Sequence, residues 1–393
     1  MDFATRTIHA GQPSEPHTGA VIPPIFQTTT YQQDGPGEHK GFDYTRTSNP
    51  TRKRLEAVLA DLEGASHAAV FGSGLAAENA ILTGYLKPGE EIVVPGDVYG
   101  GTFRMLHRVF EPIGCLVTQV DFADPAALER AITTNTRLVW LESPTNPRLL
   151  VYDIALVSRL AHARGALVVV DNTFATPFFQ QPFELGADLV VHSVTKYLAG
   201  HSDVIQGAVI ARDAAIFEPV AFLQNALGGV PSPFDCWLTL RGLRTLELRM
   251  LRHAENATAV AEALVRHSRV KRVYFPGLPL HPGHEIAKRQ MTGFGGMVSF
   301  ELDGTPEEAA ALVSSFKYFA LGESLGGVRA LACLPCKMTH ASIPPETRAA
   351  LGLSDTLIRL STGCESPRDL AQDVESALDR LRANIEPARA LVP

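Results

Sequence analysis

Between residues 49 and 245 short apolar runs alternate with stretches of helical spacing. The runs are Ala68–Phe71, Ile92–Val94, Leu116–Val120, Leu138–Leu141, Leu167–Val170, Leu189–Val191 and Ala208–Ile210. Such runs, with helices between them, predict strands covered on both faces. Asp124-Pro125 reads as an N-cap followed by proline at the first helical position, and Ile154 to Arg164 carries apolar residues at helical spacing. The expectation is an α/β fold: a mostly parallel seven-stranded sheet with helices on both faces. After about residue 246 the pattern changes. A long helical stretch, 249–267, precedes Val270–Phe275, a Pro/Gly loop, Gly296–Leu302, a helix near 306–316 and a closing helix near 367–385. This predicts a smaller C-terminal α+β domain spanning 246–393, after a large domain spanning 49–245. Residues 1–48 lack periodicity and read as an arm, extended at Val21 to Ile25, where prolines restrict their neighbours. Phe26, Tyr31, Phe42 and Tyr44 argue against a disordered tail and for an arm lying across another subunit.

Composition narrows the class. The chain has 393 residues, too many for one ordinary core, with 45% hydrophobic and 20% charged residues. A net charge of -7 and the absence of a dense basic run argue against a polyanion partner such as nucleic acid. No apolar run approaches a membrane span and the N-terminus lacks the apolar core of a signal peptide, so a cytoplasmic protein is expected. The five cysteines are odd in number and suit a reducing compartment. Cys333 and Cys336 have CxxC spacing; without a second pair they read as incidental loop thiols, and no metal site is expected.

Chemistry concentrates where the apolar runs end, the edge at which α/β sheets bind ligands. The run ending at Val191 is followed by His192, Ser193, Thr195 and then Lys196. A lysine at the mouth of a buried strand meets surroundings that disfavour its charge, and a neutral amine is the nucleophile that condenses with an aldehyde. Ser193 and Thr195 are neutral donors suited to phosphate. Together these point to pyridoxal phosphate held through Lys196. Gly72-Ser73-Gly74-Leu75 follows a strand and opens a helix, a ready phosphate seat. The same residues fit G-x-G-x-x-A, and Asp97 lies at a distance a dinucleotide fold would use, so this loop alone does not choose the cofactor. Asp171 ends a strand, where it either caps a turn or faces a pyridine nitrogen. Asn146, in a proline-braced loop, has an amide suited to a phenolic oxygen. Tyr99 is an aromatic among small residues, suited to stacking on a flat ring. Arg359 sits inside an apolar strand-like run, suited to a carboxylate or to a structural ion pair.

The ordered set of motifs resembles the Cys/Met-metabolism family of pyridoxal-phosphate enzymes, the cystathionine γ-synthase and γ-lyase group. It runs through Tyr44 to Thr51, Ser73 to Ala77, Asp97 to Thr102, Glu142 to Pro147, Val170 to Phe174, His192 to Tyr197, Val230 to Cys236, Glu323 to Gly327 and Met338 to Ser342. So many matches in order retire the dinucleotide reading. A repurposed binding protein is disfavoured because Lys196, Asp171, Tyr99 and Arg359 are all present. The resemblance implies the type I transferase fold of these enzymes and a role for each matching residue. Lys196 would bind the cofactor and move protons, Asp171 would pair its ring nitrogen, and Tyr99 would stack on the ring. Gly74, Leu75, Ser193 and Thr195 would hold its phosphate. Tyr44 and Arg46 would reach the phosphate in a neighbouring subunit, in a homotetramer with shared active sites. Asn146, Ser324 and Arg359 would contact ring or substrate, with Arg359 on the α-carboxylate. Arg104 would also touch substrate, and Glu323 suits the distal ammonium of cystathionine.

Within the family, Gly101 stands where methionine γ-lyases carry cysteine, which removes that activity. The stretch Leu223 to Pro233 is the more lyase-like, so γ-elimination of L-cystathionine is expected, with γ-replacement on an O-succinyl- or O-acetyl-homoserine by cysteine as the alternative. Arg329 departs from the glutamate frequent in the family and bears on substrate preference.

Overall fold

The computed structural model describes residues 1–341 and 345–383. Each of the seven apolar runs forms a strand: β1 (His67–Phe71), β2 (Glu91–Pro95), β3 (Leu116–Val120), β4 (Thr136–Glu142), β5 (Leu167–Asp171), β6 (Leu189–His192) and β7 (Gly207–Ala211). They form one sheet in the order β1-β7-β6-β5-β4-β2-β3. The pairs β2–β3, β2–β4 and β5–β6 are parallel, and β7 alone runs against its neighbours β1 and β6. Every residue of β6 and β7 is buried, which requires cover on both faces, whereas the edge strand β3 is half open.

Local signals produced the helices that follow the strands. Asp124 caps Pro125–Ala131 by accepting from the N–H groups of Ala126 and Ala127, and Asp153 caps Ile154–His162 through Leu156. Two helices that the pattern did not announce are Ala214–Leu227 and Pro233–Leu243. The first is apolar on nearly all sides and contains Pro219, so no stripe marks it. A further one, Phe3–His9, lies in the N-terminal segment.

The second sheet has the order β10-β11-β12-β9-β8, formed by β8 (Val270–Tyr274), β9 (Met297–Leu302), β10 (Ala320–Leu321), β11 (Leu331–Cys333) and β12 (Leu357–Ser361). It is antiparallel except for β10–β11. Helices Leu246–Arg266, Pro306–Ser315 and Pro367–Ala383 contribute Leu264, Leu312 and Leu378 to its core with Phe300 and Ile358. The closing helix was expected to reach 385; its last two residues, like Ser342 of the Met338–Ser342 motif, lie outside the described residues. Cys333 and Cys336 are not loop thiols: Cys333 is on β11 and Cys336 is in a tight turn, both buried and both free. The apolar neighbours of each hid that placement in the sequence.

The chain divides into two compact units, 1–95 with 105–141 and 153–247, and 96–104 with 142–152 and 248–393. Two short strand-end loops thus belong with the C-terminal half. Among the described residues no helix is long and apolar enough to cross a membrane.

Candidate active site

The first unit assembles one group of candidates at the carboxyl ends of parallel strands. Asp171 is the last residue of β5, and Ser193, Thr195 and Lys196 follow β6 in a tight turn. Lys196 is half-buried; its N–H donates to the Ser193 carbonyl at 3.1 Å and its carbonyl accepts from Gly200 at 2.8 Å. Thr173 links the two strand ends, donating its N–H to Asp171 Oδ1 at 2.9 Å and accepting from the Ser193 N–H through Oγ1 at 2.9 Å. Asp171 keeps some accessible surface, yet burial pushes its carboxyl upward, against the opposing pull of Thr173 and His192. A cationic partner in front of it would relieve that cost.

The helix Gly74–Tyr85 begins beside this turn. Ser73 caps it, its hydroxyl accepting from the Ala76 N–H at 3.1 Å, while the first N–H groups, those of Gly74 and Leu75, have no intrahelical acceptor. A Cβ at position 74 would lie 3.1 Å from that of Ser193, so glycine lets the helix start approach the turn. The result is a concave set of donors at a helix N-terminus, suited to a phosphate. Thr195 Oγ1 is already engaged with Gln206, donating to its carbonyl at 3.1 Å and accepting from its N–H at 3.0 Å. Tyr44 and Arg46 are exposed; the guanidinium lies 5.6 Å from the Tyr44 ring and donates to the Asn225 carbonyl at 2.8 Å.

Behind these strand ends lies a buried network that sequence reading missed. Glu63 Oε1 accepts from His192 Nε2 at 2.5 Å and from Asn172 Nδ2 at 3.0 Å, and the Glu63 and His192 side chains are each 1% exposed. Glu63 thereby holds the ends of β5 and β6 in register. Asn172 is further fixed by Gln180, whose Nε2 donates to its Oδ1 at 3.0 Å.

The second unit assembles the other group. Arg359, on β12 and 2% exposed, donates through Nη1 to Asn146 Oδ1 at 2.8 Å and through Nη2 to the Ser324 carbonyl at 3.0 Å. Among the described residues its buried Nε has no hydrogen-bond acceptor. Ser324 has a φ of 92°, a conformation few side chains adopt, and this aims its carbonyl at the guanidinium. His340 is buried nearby, its pKa pushed down to about 4 by burial first and by Arg359 second, so it is a neutral neighbour to the arginine. Tyr99 is half-buried in the loop after β2, Arg104 is exposed at the end of the short helix Gly100–Met105, and Glu323 is exposed beside Ser324. The second unit therefore joins Asn146, Ser324 and Arg359 in direct contact. Glu142 and Asp97 tie the Tyr99 and Asn146 loops together; Glu142 was not singled out in the sequence, and Asp97 was weighed only as the acid of a dinucleotide fold.

A sheet of this order, with a strand-end lysine, a buried strand-end carboxyl and a donor cradle at a helix N-terminus, defines an enzyme built around pyridoxal phosphate. The family model described as "Cys/Met metabolism PLP-dependent enzyme" matches residues 4–379, and the chain belongs to that family. It is 51% identical to the cystathionine γ-lyase of Dictyostelium discoideum over 96% of this chain and 98% of that protein. It is 52% identical to the cystathionine γ-synthase of Mycobacterium tuberculosis (95% and 96% covered) and 49% identical to the cystathionine β-lyase of Coxiella burnetii (95% and 97%). The crystal structure of cystathionine γ-synthase from Xanthomonas oryzae pv. oryzae in complex with cystathionine superposes with a TM-score of 0.95 at 46% identity, covering 98% of this chain and all (100%) of that one. The protein is accordingly a pyridoxal-phosphate-dependent enzyme of sulfur amino-acid metabolism. The residues fit the cofactor: an amine for the aldehyde, a carboxyl whose charge burial makes costly without a cation, and, for the phosphate, the helix-start N–H groups of Gly74 and Leu75, which have no intrahelical acceptor.

Proposed function

We propose that the protein is a cystathionine γ-lyase, converting L-cystathionine and one water to cysteine, 2-oxobutanoate and ammonia. The observation that supports cystathionine as the substrate is the buried Arg359 guanidinium, held by Asn146 and by Ser324, the residue that follows the exposed Glu323; the preference for elimination over synthesis rests on the stretch Leu223 to Pro233. A cation and an anion so placed suit the α-carboxylate and the distal ammonium of a long dipolar amino acid.

Pyridoxal phosphate, when bound, supplies an electron sink for negative charge at the α-carbon. The chain supplies the rest. Lys196 Nζ would anchor the cofactor, take the proton from Cα and move protons between substrate carbons. Asp171 would keep the ring nitrogen protonated. Gly74, Leu75 and Ser193 would bind the phosphate; Thr195 shapes the turn through Gln206 and would line the same seat. Tyr99 would stack on the ring, Asn146 would contact its phenolic oxygen, and Arg104 would touch substrate. Tyr44 and Arg46 serve a neighbouring subunit in a homotetramer, a reading supported by their exposure and by that of Phe222, Leu227 and Phe234. In this reading 1–48 is the arm to that neighbour, 49–245 the cofactor domain and 246–393 the small domain. A cytoplasmic location accords with the free cysteines.

The second reading is γ-synthesis, favoured by the 52% identity to a γ-synthase. The test is turnover of L-cystathionine alone against O-succinyl- or O-acetyl-homoserine with cysteine. Faster release of 2-oxobutanoate from cystathionine supports the lyase; faster formation of cystathionine from the esters replaces it with the synthase.

A further inference from the structure

Two strand-end loops of the second unit, 96–104 and 142–152, are tied by a reciprocal pair of buried carboxylates. Asp97 reaches from the first loop to the second, accepting from Thr145 Oγ1 at 2.7 Å and Tyr152 Oη at 2.9 Å. Glu142, 4% exposed, reaches back: Oε1 accepts the Tyr99 N–H at 2.5 Å and Oε2 the Asn146 N–H at 3.4 Å. The partners of Asp97 are neighbours of the site residues, but those of Glu142 are the site residues themselves. Asn146 in turn holds Arg359 Nη1, so a single carboxylate begins a chain that runs to the guanidinium.

We propose that Glu142 is a positioning residue: it sets the spacing of Tyr99 from Asn146 and, through Asn146, the aim of Arg359. This rests on the reading of Tyr99 as the ring-stacking group and Arg359 as the α-carboxylate receptor. The physical argument is economy of charge. Burying a carboxylate is costly unless donors converge on it, and a loop that needed only to be packed would be held by apolar contact at no such cost. Charge-assisted bonds to backbone N–H groups are short and directional, as the 2.5 Å bond to Tyr99 is, so that bond fixes main-chain position; the 3.4 Å contact with Asn146 is the longer and weaker arm of the tether. The Tyr99 loop has little slack elsewhere: a Cβ at Gly100 would meet the Thr339 carbonyl at 2.8 Å. Loss of the Glu142 tether would therefore reach the site rather than be absorbed by a loose loop.

The test uses holoenzyme and Glu142→Gln, which keeps shape but removes the charge and turns one acceptor into a donor. Glu142→Asp keeps the charge and shortens its reach. Binding of glycine, the simplest α-amino acid, is followed through the visible absorption of the bound cofactor, and the cofactor's visible circular dichroism reports the ring environment. Glu142→Gln is expected to weaken glycine about tenfold, the size of one charge-assisted hydrogen bond, and to reduce the dichroism; Glu142→Asp falls between. Parental glycine affinity and dichroism in Glu142→Gln overturn the proposal, even if its melting temperature falls, because that outcome marks a merely structural role. The readout does not depend on the reaction catalysed, so a parent enzyme inactive on cystathionine leaves the proposal standing or falling on glycine. A parent that binds no glycine overturns both the proposal and the role given to Arg359.

Discussion

Lys196 carries the heaviest prediction. Lys196→Ala removes the only group assigned to bind the cofactor covalently, so turnover should vanish and borohydride should no longer fix the cofactor to the protein; full activity in this variant would end the assignment. Arg46 tests the shared site. Its guanidinium donates to Asn225 within its own chain, and Arg46→Ala should weaken cofactor retention by the assembled protein without unfolding it. Unchanged pyridoxal phosphate affinity would count against a phosphate shared across subunits. At this scale the sequence was legible where a polar residue interrupts or ends an apolar run. Lys196, Asp171 and Arg359 stand out for that reason. Glu63, Thr173 and Glu142 did not, because their meaning lies in partners remote in sequence. Glu63 meets a histidine 129 positions away, and Glu142 meets an N–H 43 positions away. No local pattern marks a buried carboxylate as a tether.

Elements matter here as carriers of ends. β5 and β6 present Asp171 and Ser193 at a spacing maintained on one side by Thr173 and on the other by Glu63. Glu63→Ala would leave the buried donors of His192 and Asn172 without their acceptor, and leaving a buried polar group unsatisfied costs about 1–3 kcal/mol each. Chemical denaturation should show a loss of that order, with a smaller loss in Glu63→Gln, which retains an acceptor for both. Equal stability of all three proteins would show that the strand ends are held by backbone pairing alone. The same scale explains the elements that were missed. Ala214–Leu227 has Phe222 and Leu227 exposed and only Val220 and Gln224 buried, so its apolar residues do not form a stripe. β10 is two residues long and β11 three, too short to show alternation. All strands of the large sheet except the half-open edge strand β3 were legible because strands buried on both faces are written as unbroken apolar runs; β3 showed as an apolar run interrupted by Thr118 and Gln119.

At the scale of the whole molecule, three buried histidines make stability depend on pH. Burial is the leading cause that pushes His253, His281 and His340 down to about 4. Their pKa values are thus lower folded than unfolded. Between the unfolded value near 6.5 and the folded value the unfolded chain binds more protons, so stability is retained above the unfolded pKa and lost as pH falls through this window. The loss should be roughly 2 kcal/mol per histidine by pH 5. Denaturation at pH 7 and at pH 5 checks it; equal midpoints would mean that these histidines ionise without unfolding the protein. All three belong to the second unit, which also takes in loops 96–104 and 142–152 from the middle of the chain. Contiguous domain boundaries read from a change of pattern do not capture that assignment, since the loops join the second unit through long-range hydrogen bonds such as Arg359 to Asn146 and Ser299 to Pro147.

The sequence by itself determined the alternation of strands and helices and the seven strands of the large sheet, and it offered the polar residues at the strand ends as candidates, because apolar runs and their polar ends are written locally. It also determined the family, through motifs long enough to match in order. Only the tertiary structure decided how the ends are held: which carboxylate tethers Tyr99 to Asn146, which one holds β5 to β6, and which backbone carbonyl faces Arg359. Those are contacts between residues far apart in the chain, and a buried charge acquires its role only from the donors that folding brings around it.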